Sequence, residues 1–196
     1  FDYDLDFLAD YTPPVLSVTA GGPARSFIPG IGGTLFSEGD FGSMYQSPSG
    51  DVTAPVWAAD IDLNPATAPS NSSGCQASDY AGMPQGAIVL LQWDTACSLG
   101  TKFFGAQQFG AGAIFWFDAA GGDWINVAGT SIPSVAGRLS SATALANGKE
   151  QGLTGLTARL KVDWRPGTYE TSNVIAETPD GDPNSVIVVG AHLDSV

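Results

Sequence analysis

Two almost wholly apolar runs place the strongest constraint on the fold. Residues 86–93 read GAIVLLQW and residues 113–117 read AIFWF, so neither run offers a polar face to solvent. Strands that are covered on both faces have this composition, which is typical of parallel sheets. The residues between them, 99–109, show helical periodicity and end at a Gly-Ala-Gly sequence. The order strand, helix, strand predicts a βαβ unit, which is right-handed in almost all proteins.

The predicted helix has one apolar face. Leu99, Phe103 and Ala106 recur at helical spacing, and Lys102 is expected on the opposite side. The aromatic residues of this region are expected to form core, with a carbohydrate or peptide platform as the alternative. They are Phe103, Phe104, Phe109, Phe115, Trp116 and Phe117.

Turn residues divide the rest of the chain into short elements. Strands are predicted at residues 15–19, 34–36, 52–58, 131–136, 156–164, 172–177 and 185–194. A helix is predicted at residues 139–146, where Asn147 and Gly148 supply the C-terminal stop. The first third of the chain is expected to form a β-meander or the edge of a sandwich.

Charge and hydropathy exclude two classes of partner. The chain carries 20 acidic and 7 basic residues, a formal net charge of −13. Proteins bind the phosphate backbone through clustered Lys and Arg, so nucleic acid is excluded as a partner. No run approaches the ~20 apolar residues that a membrane-spanning helix needs, so no membrane span is expected. A surface filled by Asp, Ser, Thr, Asn and Gln is typical of secreted proteins.

The two cysteines support the same localisation. Cys75 and Cys97 are the only pair, and they enclose a segment rich in turn residues without metal-type CxxC spacing. They are predicted to form a disulfide bond in a secreted, extracellular protein. The alternative is a pair of buried free thiols in a cytosolic protein. Asn71 begins the sequon Asn-Ser-Ser, a candidate glycosylation site, and a chance sequon is the alternative.

The single histidine of the chain follows its most apolar run. His192 ends the predicted strand at residues 185–194, and ligands gather at the carboxyl ends of strands in open α/β sheets. Strand alternation places Asp194 on the same face, where a carboxylate commonly orients a metal-binding histidine. The pair is a candidate metal ligand with its supporting carboxylate. The alternative is a structural histidine, because catalytic zinc takes three protein ligands.

The middle of the chain resembles the protease-associated domain. In that family a strand, a Cys, a helix carrying a Lys, a Gly-Ala pair and an apolar strand follow one another. Here these features are residues 88–92, Cys97, Lys102, residues 110–113 and residues 114–117. The likeness covers roughly residues 20 to 165. It implies a mixed α/β (α+β) fold, a β-sandwich or open barrel with two short helices.

The last part of the chain resembles the start of the catalytic domain of secreted aminopeptidases that bind two zinc ions. Its sequence GAHLDS matches the G-A/G-H-x-D-S motif of that family. The resemblance implies that His192 is a zinc ligand and that Asp194 supports it. The other ligands and a Glu general base would follow residue 196. The implied reaction is attack of a zinc-activated water on a peptide carbonyl, with the Glu as base.

The two resemblances together predict three parts. Residues 1–19 are the leading strand of the peptidase domain, residues 20–167 the protease-associated domain, and residues 168–196 the truncated first part of the α/β catalytic domain. The middle part is expected to cap the active site and to influence the access of peptide or protein substrates. The chain is expected to be an excerpt that is inactive without the remainder of the catalytic domain. The alternative is a non-catalytic, peptide- or protein-binding module on a receptor-like scaffold.

Overall fold

The computed structural model describes most of the chain. It covers residues 2–10, 12–30, 39–44, 47–68, 71–120 and 130–172, with the backbone alone for residues 2–10 and 165–172. The chain divides into two compact units, Phe1–Asp6 with Thr168–Val196 and Phe7–Gly167. The three-part division of the sequence stays a prediction.

Strands and two short helices make up the described residues. The strands are β1 (Asp2–Asp10), β2 (Val15–Ala20), β3 (Arg25–Ser26), β4 (Phe41–Ser43), β5 (Gly50–Ala58), β6 (Ile88–Gln92), β7 (Ala113–Phe117), β8 (Ser134–Gly137), β9 (Gly152–Val162) and β10 (Trp164–Ser172). The helices are α1 (Leu99–Gln108) and α2 (Leu139–Ala146), and a 3₁₀ turn spans Ala77–Tyr80. No helix in these residues is long and apolar enough to cross a membrane.

A mixed eight-stranded sheet dominates the unit Phe7–Gly167. Its strand order is β3-β2-β9-β5-β6-β7-β8-β4, while β1 and β10 form a separate two-stranded sheet. Strands β5, β6, β7 and β8 run parallel, and the other neighbours in the large sheet are antiparallel. Because β6 and β7 are parallel neighbours joined by α1, the predicted βαβ unit is confirmed.

The large sheet curls toward closure. Phe27 donates its backbone N–H to the carbonyl of Leu16 in β2 (3.0 Å), and Gly30 donates to the carbonyl of Phe41 in β4 (2.7 Å). Pro29 also forms a β-bridge with Phe41. The segment after β3 therefore bonds to strands near both ends of the strand order. A single curled sheet is the open-barrel form of the predicted fold, and the two-sheet sandwich is wrong.

The predicted β-meander in the first third is also wrong. Strand β4 pairs with β8, and β5 lies between β9 and β6, so these two early strands are not neighbours. Strand β5 carries exposed residues at its start and buried residues at its end. The pattern of one strand shows which faces are covered, but pairing with partners about 100 residues away depends on the whole chain.

Alternate residues of the central strands supply two cores. Ile88 and Leu90 of β6 belong to a cluster that includes Leu145 of α2. Val89 of the same strand belongs to a second cluster with Phe103 of α1. Helices α1 and α2 therefore cover opposite faces of the sheet, which explains why β6 and β7 are apolar throughout.

The helix ends follow local rules. Ser98 caps α1, its hydroxyl accepting the N–H of Thr101 at 3.2 Å. Asn147 ends α2 in the left-handed conformation with φ 51°, as predicted, and its side-chain amide donates to the carbonyl of Thr154 at 3.0 Å. Helix α2 has the predicted bounds, and α1 ends one residue before the predicted end.

The aromatic cluster is only partly core. Phe104 is 67% exposed and Phe109 is 37% exposed, so the prediction that all six aromatic residues are buried is wrong. Successive helical residues differ by about 100° around the axis, so Phe104 leaves the face that Phe103 buries. Phe109 stacks on Tyr80 with ring centroids 5.2 Å apart. The other members of the predicted cluster are buried: Phe103, Phe115, Trp116 and Phe117.

Several predicted elements lie outside the described residues. They are the strands at 34–36 and 185–194 and nearly all of the strand at 172–177. Within the described part, the predicted strand at 131–136 is found as β8, and the one at 156–164 is found mostly as β9.

Phe115, which is buried, and Phe104, which is exposed, allow a matched test of this packing. Phe115→Ala is expected to lower the free energy of unfolding by about 3–5 kcal/mol, because it leaves a cavity in the sheet core. Phe104→Ala is expected to change it by less than about 0.5 kcal/mol, because that ring faces solvent. Urea denaturation followed by tryptophan fluorescence measures both. Similar losses in the two variants would contradict the assignment of faces.

Candidate functional site

The predicted metal-site residues cannot be placed. His192 and Asp194 both lie outside the described residues, so their role stays a prediction. The described part of the chain brings together no group of three or more His, Cys, Asp or Glu side chains that could hold a metal ion. The polar cluster that it does build lies around the N-terminal half of α1.

A disulfide bond frames this cluster. Cys75 and Cys97 are bonded, as the sequence predicts, with their Cα atoms 5.8 Å apart. The bond joins the segment before the 3₁₀ turn to the residue preceding the cap of α1. Closing a loop of 22 residues stabilises a fold by about 3 kcal/mol in the chain-entropy model.

Beside the disulfide lies a buried ion pair. The Lys102 ammonium is 2.6 Å from Asp94 Oδ2, and the two side chains are 1% and 0% exposed. Lys102 Nζ also donates to the carbonyl of Ser73 and lies 3.6 Å from Cys75 Sγ. An ammonium has three donors, and each of them has a partner here. The pair therefore satisfies the condition under which a buried charge is tolerated.

The burial of Lys102 corrects the sequence-based orientation of α1. Lys102 was expected on the solvent side, but it shares a face with Phe103 and Ala106. Residues 102 and 106 are four positions apart and must lie on one face of a helix, so the spacing itself allowed this outcome. The sequence pattern does not identify Asp94 as the partner of Lys102. A lysine four positions from an apolar core residue, with an aspartate just before the helix, was the signal that could have indicated the pair.

Burial sets the protonation behaviour around the pair. Desolvation lowers the pKa of Lys102, and the hydrogen bond and charge of Asp94 oppose that shift. Desolvation also raises the pKa of Tyr80, with a smaller contribution from Asp79. The Tyr80 hydroxyl therefore stays protonated, and it lies 3.0 Å from the carbonyl oxygens of both Gly74 and Lys102.

The same cluster fixes the loop that follows β5. The buried Ser73 hydroxyl donates to the carbonyl of Ala59 (2.7 Å) and accepts the N–H of Gln92 (3.2 Å). The Gln92 side chain donates to the carbonyl of Ala68 at 3.0 Å. Strand β6 thus holds the loop by side-chain hydrogen bonds that replace contacts with water.

The sequon residue is part of this loop. Asn71 is half-buried, and its side-chain nitrogen donates to the carbonyl of Asp60 at 2.6 Å. A glycan would be attached to that nitrogen. Its attachment therefore has to alter a hydrogen bond, and glycosylation of Asn71 stays a prediction.

The charged and polar groups of this cluster bond to protein atoms rather than face solvent. The ammonium, its carboxylate and the tyrosine hydroxyl are buried and bonded to protein groups. A catalytic group needs reach to a substrate, and these groups have none. The disulfide is the one reactive bond among them, and it is half-buried at both cysteines.

The chain is similar to segments of known aminopeptidases. It is 35% identical over 168 residues to an aminopeptidase of Pseudomonas aeruginosa, an alignment that covers 81% of this chain and 30% of that protein. It is 31% identical over 164 residues to a probable leucine aminopeptidase 2 of Aspergillus fumigatus, covering 80% of this chain and 30% of that protein. It is 32% identical over 155 residues to a probable lipoprotein aminopeptidase of Mycobacterium tuberculosis, covering 76% of this chain and 28% of that protein. The chain thus spans less than a third of the length of these relatives.

Solved structures give a weaker likeness. An aminopeptidase from Aneurinibacillus sp. strain AM-1 superposes with a TM-score of 0.49 at 19% identity, covering 87% of this chain and 36% of that one. A zinc aminopeptidase from Bacillus subtilis gives a TM-score of 0.49 at 14% identity, covering 86% of this chain and 35% of that one. No protein-family model matches the chain.

Loss of one partner of the buried pair is expected to be costly. Lys102→Met leaves the Asp94 carboxylate buried and unpaired, and it should lower the free energy of unfolding by about 3–5 kcal/mol. The double variant Lys102→Met with Asp94→Leu should recover a large part of that loss, because it buries no charge. Urea denaturation of the two variants measures the difference.

The exposed ion pair supplies the control. Arg159 and Asp51 contact each other at 2.6 Å, but their side chains are 43% and 44% exposed. Arg159→Met is therefore expected to leave stability close to that of the unmodified chain. A loss as large as that of Lys102→Met would show that burial is not the reason for the sensitivity of Lys102.

Proposed function

We propose that the chain is a segment of a zinc-dependent aminopeptidase. The observation that carries the proposal is the 35% identity over 81% of the chain to an aminopeptidase. Similarity of this extent favours a common fold and a related role for the aligned residues. Because the chain spans only 30% of that relative, the activity belongs to the whole protein that contains this segment.

His192 and Asp194 would be the contribution of this chain to the metal site. The proposal rests on the GAHLDS sequence at the end of an apolar run. The His192 imidazole would bind zinc, and the Asp194 carboxylate would orient that ring and raise its basicity. Zinc, when bound, would polarise the peptide carbonyl and activate water. The remaining ligands and the general base would come from the rest of the protein.

The unit Phe7–Gly167 would be an inserted module that limits access of substrates. Its two ends lie side by side, as inserted domains require. The Thr12 hydroxyl donates to the Asp163 carboxylate at 3.1 Å. A module whose ends are close together can be inserted in a host domain without moving apart the host strands that precede and follow it.

Export of the protein is also part of the proposal. The Cys75–Cys97 disulfide is stable in oxidising compartments and rare in the cytosol. One relative is described as a probable lipoprotein, which is consistent with a protein outside the cytoplasm.

The zinc role is tested on the full-length protein. His192→Ala is expected to remove about one equivalent of zinc and to lower kcat/KM for an aminoacyl anilide at least about 100-fold, because a ligand is lost. Asp194→Asn is expected to weaken zinc binding by about 10–100-fold. Lys149→Ala, an exposed change, is the control and should retain both zinc and activity. Full zinc content and full activity in His192→Ala would overturn the assignment.

The module role predicts a change of specificity rather than of chemistry. Replacing residues 13–162 of the full-length protein by a short Gly-Ser linker is expected to retain hydrolysis of a small anilide. The ratio of kcat/KM for a long peptide to that for the anilide should rise about tenfold or more, because the barrier to large substrates is gone. An unchanged ratio would exclude a role in access.

The second candidate is a non-catalytic binding module on a receptor-like scaffold. Full-length protein that binds no zinc and hydrolyses no aminoacyl anilide would favour it. Zinc binding with hydrolysis excludes it.

A further inference from the structure

We propose that the Cys75–Cys97 bond is an asymmetric thiol-exchange site, at which a low-molecular-weight thiol attacks Cys97 and releases Cys75 next to Lys102. The proposal concerns the sulfur chemistry of this chain and does not depend on a peptidase activity. It rests on the different surroundings of the two sulfur atoms.

The surroundings of Cys75 favour it as the leaving group. Its Sγ lies 3.6 Å from the Lys102 ammonium, which is 1% exposed. Lys102 is anchored to Asp94 and to the carbonyl of Ser73, so the ammonium already points at this sulfur before any bond breaks. A thiolate that forms beside a fixed ammonium is stabilised, and a stabilised thiolate leaves faster.

The surroundings of Cys97 leave it open to attack by a thiol. It lies in an irregular turn in which Thr95, Ala96 and Ser98 are exposed. No hydrogen bond to its sulfur is found among the described residues. Both cysteines are half-buried, and Cys75 is likewise followed by exposed residues, Gln76 and Ala77. Access therefore favours neither sulfur, and the ammonium beside Cys75 decides which sulfur leaves.

The exchange step needs only the attacking thiol and no oxidant. The attacking thiolate sulfur forms a bond to Cys97 Sγ, the Cys75–Cys97 bond breaks, and its electron pair goes to Cys75 Sγ. The products are a mixed disulfide on Cys97 and a Cys75 thiolate that pairs with the ammonium. A second thiol can then release Cys97 and complete the reduction.

Other charged groups act on the same ammonium. Asp94 is bonded to it, and the charges of Asp79 and Asp60 also act on Lys102. These carboxylates oppose a thiolate, whereas the N-terminus of α1, which begins two residues after Cys97, would favour a thiolate there. Ser98 already caps that terminus, so the directed ammonium is expected to decide the direction of exchange.

The test maps the position of a mixed disulfide in the native protein. The full-length protein is treated with limiting reduced glutathione under mildly alkaline conditions, trapped with N-ethylmaleimide and analysed by peptide mass spectrometry. Glutathione is expected on Cys97 in at least about tenfold excess over Cys75, with maleimide on Cys75. Equal labelling, a preference for Cys75, or the absence of any mixed disulfide would overturn the proposal.

A variant without the ammonium isolates its contribution. Lys102→Met with Asp94→Leu removes both charges while keeping apolar volume, and its folding is checked by circular dichroism. The preference for Cys97 should fall toward an even distribution. Lys149→Met, an exposed lysine, is the control and should keep the preference. A preference that survives in a folded double variant would assign the asymmetry to access alone and would overturn the role of Lys102.

Discussion

The arrangement of the unit Phe7–Gly167 around α1 depends on one buried ion pair. A charged ammonium away from water is tolerated only where every donor has a partner. Lys102 meets this condition by contacting Asp94 in the turn after β6, and Ser73 and Cys75 in the segment before the 3₁₀ turn. A single side chain therefore ties two connecting segments to α1.

The hydrophobic cores set the framework in which that ion pair is possible. Strands β6 and β7 are buried on both faces, with α1 on one side and α2 on the other. Helix α1 must then present its inner face to apolar side chains, including Val89 and Trp116. Lys102 lies on that inner face, where its charge would otherwise be unpaired. Its side chain instead extends to the edge of the sheet, where Asp94 follows the end of β6.

Sequence patterns predict features that depend on neighbouring residues, such as strand burial and helix ends. They do not predict the pairing of strands that are distant in sequence. The apolar runs of β6 and β7 and the Asn147 stop of α2 were predictable, because burial on two faces and a left-handed cap leave direct traces in sequence. The pairing of β5 with β9 was not, because it joins segments about 100 residues apart. The candidate metal ligand His192 is predicted from its place at the end of an apolar run and from the GAHLDS motif, whereas the partner of Lys102 becomes evident only when the fold brings Asp94 near it.

The hydrogen bond between Thr12 and Asp163 has a consequence for any chain that continues on both sides of it. These residues are 151 positions apart in sequence, yet their side chains touch. A flexible loop of that length would raise the entropic cost of closing the host fold by about 3 kcal/mol relative to a loop of a few residues. Once the unit has folded, a chain that carried it as an insertion would be interrupted only by a short connection. Because its ends are adjacent, the folded unit would add little to the entropic cost of folding a chain that carried it.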